Sequence, residues 1–397
     1  MNAQLNKLKS EVREELIGNI LPFWSQRMID HESGGFYGQI DGNDQLIPTA
    51  DKGGILNARI LWSFSSAYLQ EKNPLYLEMA NRAKEYILTN FFDPEFGGTY
   101  WTISFDGKPS DTKKQIYSQA FFIYAFTEHY RASGEESSLQ TAIELFRMIE
   151  KRSFDRELNG YFEAYSRDWI LLEDLRLSEK DANEKKTMNT HLHILEAYTN
   201  LYRVWKDEEL GSQLRNLILI FIEKIVNQTT KHLNLFFDEN WNSKADIVSY
   251  GHEIEAAWLI DEAARVLGDQ ELRTKVQEIC IGIAEAACEG LQPDGSIVYE
   301  KNNTTGHLDN DRHWWGQAEA VVGFLNASEL TGNPEWLVKA EKCWKFITEN
   351  LVDKVGGEWY WSISDDGIAN RQEDKAGFWK CPYHNSRMCL EVMERVK

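Results

Sequence analysis

Apolar residues recur at i, i+3, i+4 and i+7 along most of the chain, which predicts helices rather than strands. Two kinds of helical segment alternate. One kind, over about 3–28, 74–91, 136–152, 208–228, 270–289 and 334–351, is amphipathic with one charged side. The other, over about 53–70, 115–132, 188–204, 249–266, 313–330 and 382–395, is richer in small, apolar and aromatic residues. A helix with a charged face lies at a surface, and one that is apolar nearly all round is buried. Six of each in alternation predict a closed double ring, an all-α (α/α)6 barrel of six inner and six outer helices. An open α-solenoid is the rival, but it needs polar capping repeats that the chain does not display.

A second pattern lies between the helices. Turn residues beside a short aromatic run recur as HESGGFYGQIDG near Gly35, DPEFGGTYWTISFDG near Gly98, DRELNGYFEAYSRDW near Gly160 and VDKVGGEWYWSISDDG near Gly357. Degenerate copies are LNLFFDENWN near Leu235 and LQPDGSIVYE near Gly295, so the repeat is about 62 residues with one interval of 75. Each phrase reads as a small β-hairpin. Links from an inner helix to the next outer one are short, as in GNP before Glu335 or KNP before Leu75. The return links are long and hold the hairpins, so they gather at the N-terminal ends of the inner helices. Loops on a rigid scaffold carry function, which makes that end the mouth. The whole chain, 1–397, reads as one barrel domain.

Composition narrows the choice of partner. The chain has 63 Asp+Glu against 43 Lys+Arg and a formal net charge of −20, which repels phosphate backbones and anionic lipid. Neither nucleic acid nor a membrane surface is expected as a partner. No apolar run reaches the length of a transmembrane helix. The start, MNAQLNKLKSEVREEL, lacks the apolar core of a signal peptide. The five cysteines include no CxxC pair, so neither a disulfide framework nor a zinc knuckle is indicated. A reduced, cytoplasmic setting is the expectation.

The first turns of the inner helices carry the candidate chemistry: Arg59, Tyr117, Asn189, His193, His252, Glu255, Trp314, Trp315 and His384. Gln119, Glu196, Glu255 and Glu319 each precede an alanine in four consecutive inner helices, which predicts that they stand at one depth. His191 and His193 are about 200° apart around a helix, so at most one of them faces the cavity. His193 with Glu196, and His252 with Glu255, are three apart and share a face. A Glu beside a buried His fixes its tautomer and raises its basicity. One such pair is as often a core contact as a catalytic one. Two at one level, together with His384, favour chemistry. Three histidines and several carboxylates also suit zinc, but no HExxH or similarly tight ligand motif is present, so no metal is expected.

Of 14 tryptophans, Trp101, Trp359, Trp361 and Trp379 fall in or near the mouth loops, beside Trp314 and Trp315. A sugar offers an apolar C–H face and a polar rim, so aromatic faces beside Arg and carboxylates suit carbohydrate. The competing expectation is that hairpin tryptophans only glue loops together.

The blocks MNTHLHILEAY, SYGHEIEAAWL, DRHWWGQAEA, EWYWSISDDG and FWKCPYHNSRMCLE resemble the N-acylglucosamine 2-epimerase superfamily, most closely its cellobiose 2-epimerase branch. The resemblance spans nearly the whole chain. It implies an (α/α)6 barrel that needs no metal or organic cofactor and interconverts glucose and mannose configurations at C2 of a reducing-end sugar. It also implies His252 and His384 as the acid/base pair, with Glu255 supporting His252. By the same resemblance His193 assists ring opening and Arg59 holds the developing oxyanion. Tyr117, Asp181 and Asn189 would bind sugar hydroxyls, and Trp315 and Trp379 would stack on the sugars. The assignment of Trp315 rather than Trp314 is left to the structure.

The residue types suit that chemistry. A C2 proton is acidic only beside a carbonyl, so the ring must open first, and the enediolate then needs a positive partner such as Arg. Moving a proton from one face to the other requires two bases, and histidines suit neutral pH. A disaccharide substrate such as cellobiose or lactose is the first reading. A mannose–glucose epimerase, a mannose isomerase or an N-acylglucosamine epimerase is the rival within the family. A glycoside hydrolase, which needs a carboxyl pair about 5–10 Å apart, and a silent sugar-binding protein are the readings outside it.

Overall fold

The computed structural model describes residues 2–396. Six helices form the inner ring: α3 (Gly54–Glu71), α5 (Ile116–Ser133), α7 (Met188–Val204), α9 (Tyr250–Leu267), α11 (Trp314–Thr331) and α13 (Tyr383–Arg395). The outer ring holds α4 (Pro74–Asn90), α6 (Glu136–Arg152), α8 (Glu208–Ile220), α10 (Gln270–Ala287) and α12 (Pro334–Phe346). Its sixth member is α1 (Asn2–Glu15) continuing through a π-helical turn (Leu16–Ile20) into α2 (Leu21–Gln26). Each inner helix packs on the next, and α13 packs back on α3, so the inner ring is closed. The (α/α)6 barrel read from the periodicity is the observed fold, and the helix bounds agree with that reading to within a few residues once the π-helical turns Phe221–Ile225 and Ile347–Leu351 that continue α8 and α12 are included. The sheath-and-core division follows from the side chains. The middle of α11 (AVVGFLNA) is buried all round, whereas α6 buries only one stripe.

Short corners join inner to outer helices at the closed end. Gly134, Gly268 and Gly332 end α5, α9 and α11 in the left-handed conformation that glycine adopts without a Cβ penalty. Asn73 and Asn333 then cap α4 and α12 ahead of a proline in the first turn. Among the described residues, no helix is long and apolar enough to cross a membrane.

The long loops at the other end differ from simple hairpins. Each phrase does make its own tight turn, seen as bridges Ile29–Phe36, Phe92–Thr99, Phe154–Tyr161, Val226–Leu233, Leu291–Ile297 and Val352–Trp359. Two loops hold hairpins of their own, Thr102–Ile103 with Pro109–Asp111 and Glu300–Asn302 with His307–Asp309, and the remaining strand pairs run between loops. The residues just before each inner helix join the next loop: Lys52–Gly53 with Thr102–Ile103, Lys114–Gln115 with Ala164–Tyr165, Lys186–Thr187 with Phe236–Phe237. Ile247–Ser249 pairs likewise with Glu300–Asn302, and Arg312–His313 with Ser362–Ile363. A bridge from Ala376 to Ile40 closes the circle. The mouth is therefore a stitched rim.

Buried ion pairs lie under that rim. Asp30, Asp93 and Asp155 each cap their turn with one carboxylate oxygen and meet a lysine with the other, at 2.7 Å to Lys52, 3.0 Å to Lys114 and 2.8 Å to Lys186. Asp353 does the same with Lys375.

Candidate active site

All ten residues singled out from the sequence line one cavity of about 400 Å³ inside the mouth: Arg59, Tyr117, Asp181, Asn189, His193, His252, Glu255, Trp315, Trp379 and His384. Their layering follows from helix starts rather than from the alanines used above. Tyr117, Asn189, Trp315 and His384 are the second residues of α5, α7, α11 and α13. Arg59, His193, Glu255 and Glu319 are the sixth residues of α3, α7, α9 and α11, one turn deeper. Gln119 is instead a fourth residue, with its side chain holding the Thr99 backbone, and Glu196 is a ninth. The four acidic and amide groups are therefore not at one depth; Glu255 and Glu319 are, while Gln119 lies about half a turn shallower and Glu196 nearly a turn deeper.

The histidine pairings divide. His193 Nδ1 meets Glu196 Oε2 at 2.9 Å, the pair read from their spacing. His191 turns away and accepts from the Tyr161 backbone N–H, so only His193 of the two reaches the cavity. His252 does not pair with Glu255. Its Nδ1 meets the hydroxyl of Ser249 at 2.8 Å, because Ser249 stands three residues before it at the helix start. His384 Nδ1 meets Glu319 Oε1 at 2.7 Å. Each of the three rings hydrogen-bonds through Nδ1, which leaves Nε2 for a substrate. Burial lowers the basicity of all three, taking His252 down to about 3 and His384 well below the ordinary imidazole value.

Glu255 belongs to a different constellation. Arg387, wholly buried on α13, donates from Nη2 to Glu255 Oε1 and to Glu319 Oε1, both at 2.6 Å, and from Nη1 to Glu196 Oε1 and the Tyr383 hydroxyl. Three carboxylates thus share one guanidinium. Burial raises Glu255 and Glu319, with Glu319 adding to the rise at Glu255. Burial also opposes ionisation of Glu196, but Arg387 and His193 hold it down to about 2. Arg387 is the main residue that sequence reading missed. Its signal was present, three residues after His384 and so on the same helix face.

Arg59 is a contrasting cation. It donates to the Tyr117 hydroxyl at 2.9 Å and to Cys381 Sγ at 3.6 Å, and it lies over the rings of Phe121 and Tyr383. No carboxylate bonds to it, so its charge is available to an oxyanion in the cavity.

The aromatic lining is Trp314, Trp315, Trp361 and Trp379. Trp315 is the ring beside the histidines, with centroids 4.6 Å from His252 and 5.8 Å from His384, while Trp314 packs on Trp361. Gly251 permits that approach, since a Cβ there would lie 2.7 Å from the Trp315 ring. Trp359 and Trp101 serve as glue: the first is fully buried and bonded to Glu15, and the second packs on Phe378. Asn189 Oδ1 and Trp314 Nε1 are buried without a protein partner. Asp181 stands on the long loop between Tyr165 and Lys186, its carboxylate bonded to Ser178. A second chamber of about 400 Å³ adjoins the first and shares Asp181, Asn189, His252 and Tyr299 with it.

The side chains nearest to a metal-binding set are Glu255, Glu319 and His384. The Arg387 guanidinium already bonds both of those carboxylates and supplies the positive charge that a cation would.

Comparison with known proteins agrees with this geometry. The chain is 57% identical to the cellobiose 2-epimerase of Bacteroides fragilis over 97% of its own length and 98% of the relative's. It is 42% identical to the cellobiose 2-epimerase of Ruminococcus albus, over 97% and 98% of the two chains. Among solved structures, the cellobiose 2-epimerase of Bacillus thermoamylovorans superposes with a TM-score of 0.95 at 44% identity, covering 98% of this chain and 100% of the other. The model of the N-acylglucosamine 2-epimerase (GlcNAc 2-epimerase) family matches residues 35–387, a span that begins at the first glycine-rich turn and ends on Arg387. The closed double ring, the three cavity histidines and the buried arginines thus have one origin: the chain belongs to the N-acylglucosamine 2-epimerase family.

Proposed function

We propose that the chain acts as one catalytic domain that reversibly epimerises C2 of the reducing-end glucose in β-1,4-linked disaccharides, converting cellobiose to 4-O-β-glucosyl-mannose and lactose to epilactose. The observation that carries this reading is the pair His252 and His384. They come from α9 and α13, two inner helices with α11 between them, and both contact the Trp315 ring in one cavity.

His193, held by Glu196, assists opening of the pyranose to the aldehyde. One of His252 and His384 then takes the C2 proton through Nε2, and the other returns a proton to the opposite face. Arg59, steadied by Tyr117, stabilises the enediolate oxygen, the position where negative charge develops. Asp181 and Asn189 bind hydroxyls, and Trp315 and Trp379 cover the sugar faces. The adjoining chamber favours a disaccharide over a monosaccharide substrate, because it offers room beyond the reacting ring. A glycoside hydrolase is disfavoured, since Glu255 and Glu319 are tied to Arg387 and to each other's charge rather than standing apart across a bond.

An NMR time course with cellobiose in D2O tests the reading. Epimerisation yields 4-O-β-glucosyl-mannose carrying deuterium at C2, at unchanged sugar chain length. Free glucose released from cellobiose, or turnover of mannose alone, would replace it with the hydrolase or the monosaccharide reading.

A further inference from the structure

Epimerisation needs one group deprotonated and another protonated at the same moment, yet the cavity histidines are all held as weak bases by burial. The source of the delivered proton is therefore a question, and the charge count around Arg387 addresses it. Three carboxylates contact that guanidinium, and they are not equally supported. Glu196 accepts from Arg387, the Tyr383 hydroxyl and His193. Glu319 accepts from Arg387 and from the Trp258 indole at 3.0 Å, and its Oε1 faces His384 Nδ1 at 2.7 Å. Glu255 has Arg387 alone. Its Oε1 shares Nη2 with the Glu319 oxygen and lies 4.0 Å from His384 Nδ1. Two carboxylates crowded onto one donor do not both ionise; such a pair holds one proton. The other titratable and charged groups facing the cavity are Arg59 from α3, bonded to the Tyr117 phenol, the imidazoles of His193, His252 and His313, the Tyr299 phenol, and Glu179, Lys180, Asp181 and Glu373 from the mouth loops.

We propose that the Glu255–Glu319 pair is a proton store for His384, so that His384 acts as the acid while its ring stays neutral. This rests on the epimerase reading above. In the step, Nε2–H passes its proton to C2 of the enediolate, whose electron pair forms the new C–H bond. The proton held between the two carboxyls moves to Nδ1 at the same time, delivered by Glu319 Oε1 at 2.7 Å. The imidazole remains neutral, the carboxyl pair becomes doubly ionised, and His252 carries the proton taken from the other face. Net enzyme charge is unchanged, and the store refills from His252 through solvent once product leaves.

Glu255→Gln keeps the contact to Arg387 and removes the transferable proton. The expected result in D2O is a loss of epimer formation at least tenfold greater than the loss of C2–H exchange in recovered cellobiose, with the alkaline limb of the pH–rate profile altered. Glu255→Asp should restore epimer formation in part. Equal loss of both, with an unchanged profile, would mean a merely structural role and overturn the proposal. A second measurement does not depend on activity. The infrared spectrum of the unliganded wild-type protein at neutral pH should contain a protonated carboxyl C=O stretch that is missing in Glu255→Gln. Its absence from the wild type would overturn the proton store even if epimerisation holds, whereas the band without epimerisation would count against the function alone.

Discussion

Two sets of buried charges lie within the same inner ring, and they are built differently. In the belt under the rim, every aspartate is matched by at least one cation, with Arg167 joining Lys114 on Asp93 and Lys375 reaching Asp44 as well as Asp353. The second oxygen serves turn N–H groups: Glu32 and Ser33 for Asp30, Val355 and Gly356 for Asp353. Burial acts against the aspartates, yet the ammonium and these N–H groups keep them ionised, with Asp353 held down to about 2. Burial also pulls Lys52, Lys114 and Lys186 down, but each retains a carboxylate and so stays charged at neutral pH. On the axis, three carboxylates share one guanidinium and two of them are pushed up. Carboxylates each matched by a cation and by turn N–H groups fit a structural role, whereas the surplus of carboxylates over cations at Arg387 is the feature on which the proposed proton store rests.

The largest expected effect comes from removing the axial cation. Arg387→Met leaves Glu196, Glu255 and Glu319 buried without their shared partner, and loss of one member of a buried ionic group costs about 3–5 kcal/mol. Thermal unfolding should register that loss, and epimerisation should vanish with it. Lys52→Met tests the belt in the same way. It strands Asp30 and the Gly34 carbonyl, so a stability loss of about 3 kcal/mol is expected, with turnover of the folded fraction retained. If Lys52→Met abolished turnover at full stability, the division between belt and axis would be wrong.

These two sets also differ in how far they could be read from the chain. The inner helices were legible because small and apolar residues persist on all sides for four or five turns, and the mouth was legible because the long links all fall at one end. The cavity residues were legible because motif and resemblance agreed on the same helix turns. The axial cluster was not. Glu196, Glu255, Glu319 and Arg387 come from four helices, and only closure of the ring brings them together; in one dimension an Arg three residues after a His shows a shared helix face but not its partners. His252 and Glu255 show the limit of spacing arguments, since sharing a helix face does not decide which neighbour wins: Ser249 took the imidazole and Arg387 the carboxylate. The pairing between loops was hidden for a different reason, because a strand of two residues has no period to detect.

A smaller effect separates the proposed acid/base histidines from both ionic sets. His252→Ala or His384→Ala should lower turnover of cellobiose by about a hundredfold or more, the usual scale for losing a general acid or base. Neither side chain anchors the belt, so the melting temperature should move far less than in Arg387→Met. Near wild-type turnover in either variant would remove the two-base mechanism. EDTA should leave wild-type activity unchanged, because Arg59 lines the cavity and Arg387 already bonds Glu255 and Glu319.

The smallest expected effect lies where the belt is interrupted. The fourth turn has Asn227 in place of the aspartate and Val248 in place of the lysine, and the fifth has Arg312 in the lysine position. In the fourth turn a different pair, His232 with Glu253 on α9, ties the loop to the ring at 2.8 Å. The hydrogen bond to Glu253 raises the His232 pKa above its ordinary 6.5, against burial and with further help from Glu253 and Glu289 charges. A raised folded value means that the stabilisation is fully present below the unfolded imidazole value of about 6.5. It is then lost as pH climbs through the folded value. The Asp–Lys pairs behave oppositely, losing their contribution only as pH falls below the ordinary carboxylate range toward about 2 for Asp353. Between about pH 6 and 9 the belt should therefore be flat while the fourth turn slopes, by no more than about 1 kcal/mol for a partly solvated pair. Melting curves of the wild type and His232→Gln across that interval should differ at the acid end and converge at the alkaline end; a difference independent of pH would show that His232 holds its loop by packing instead of by charge.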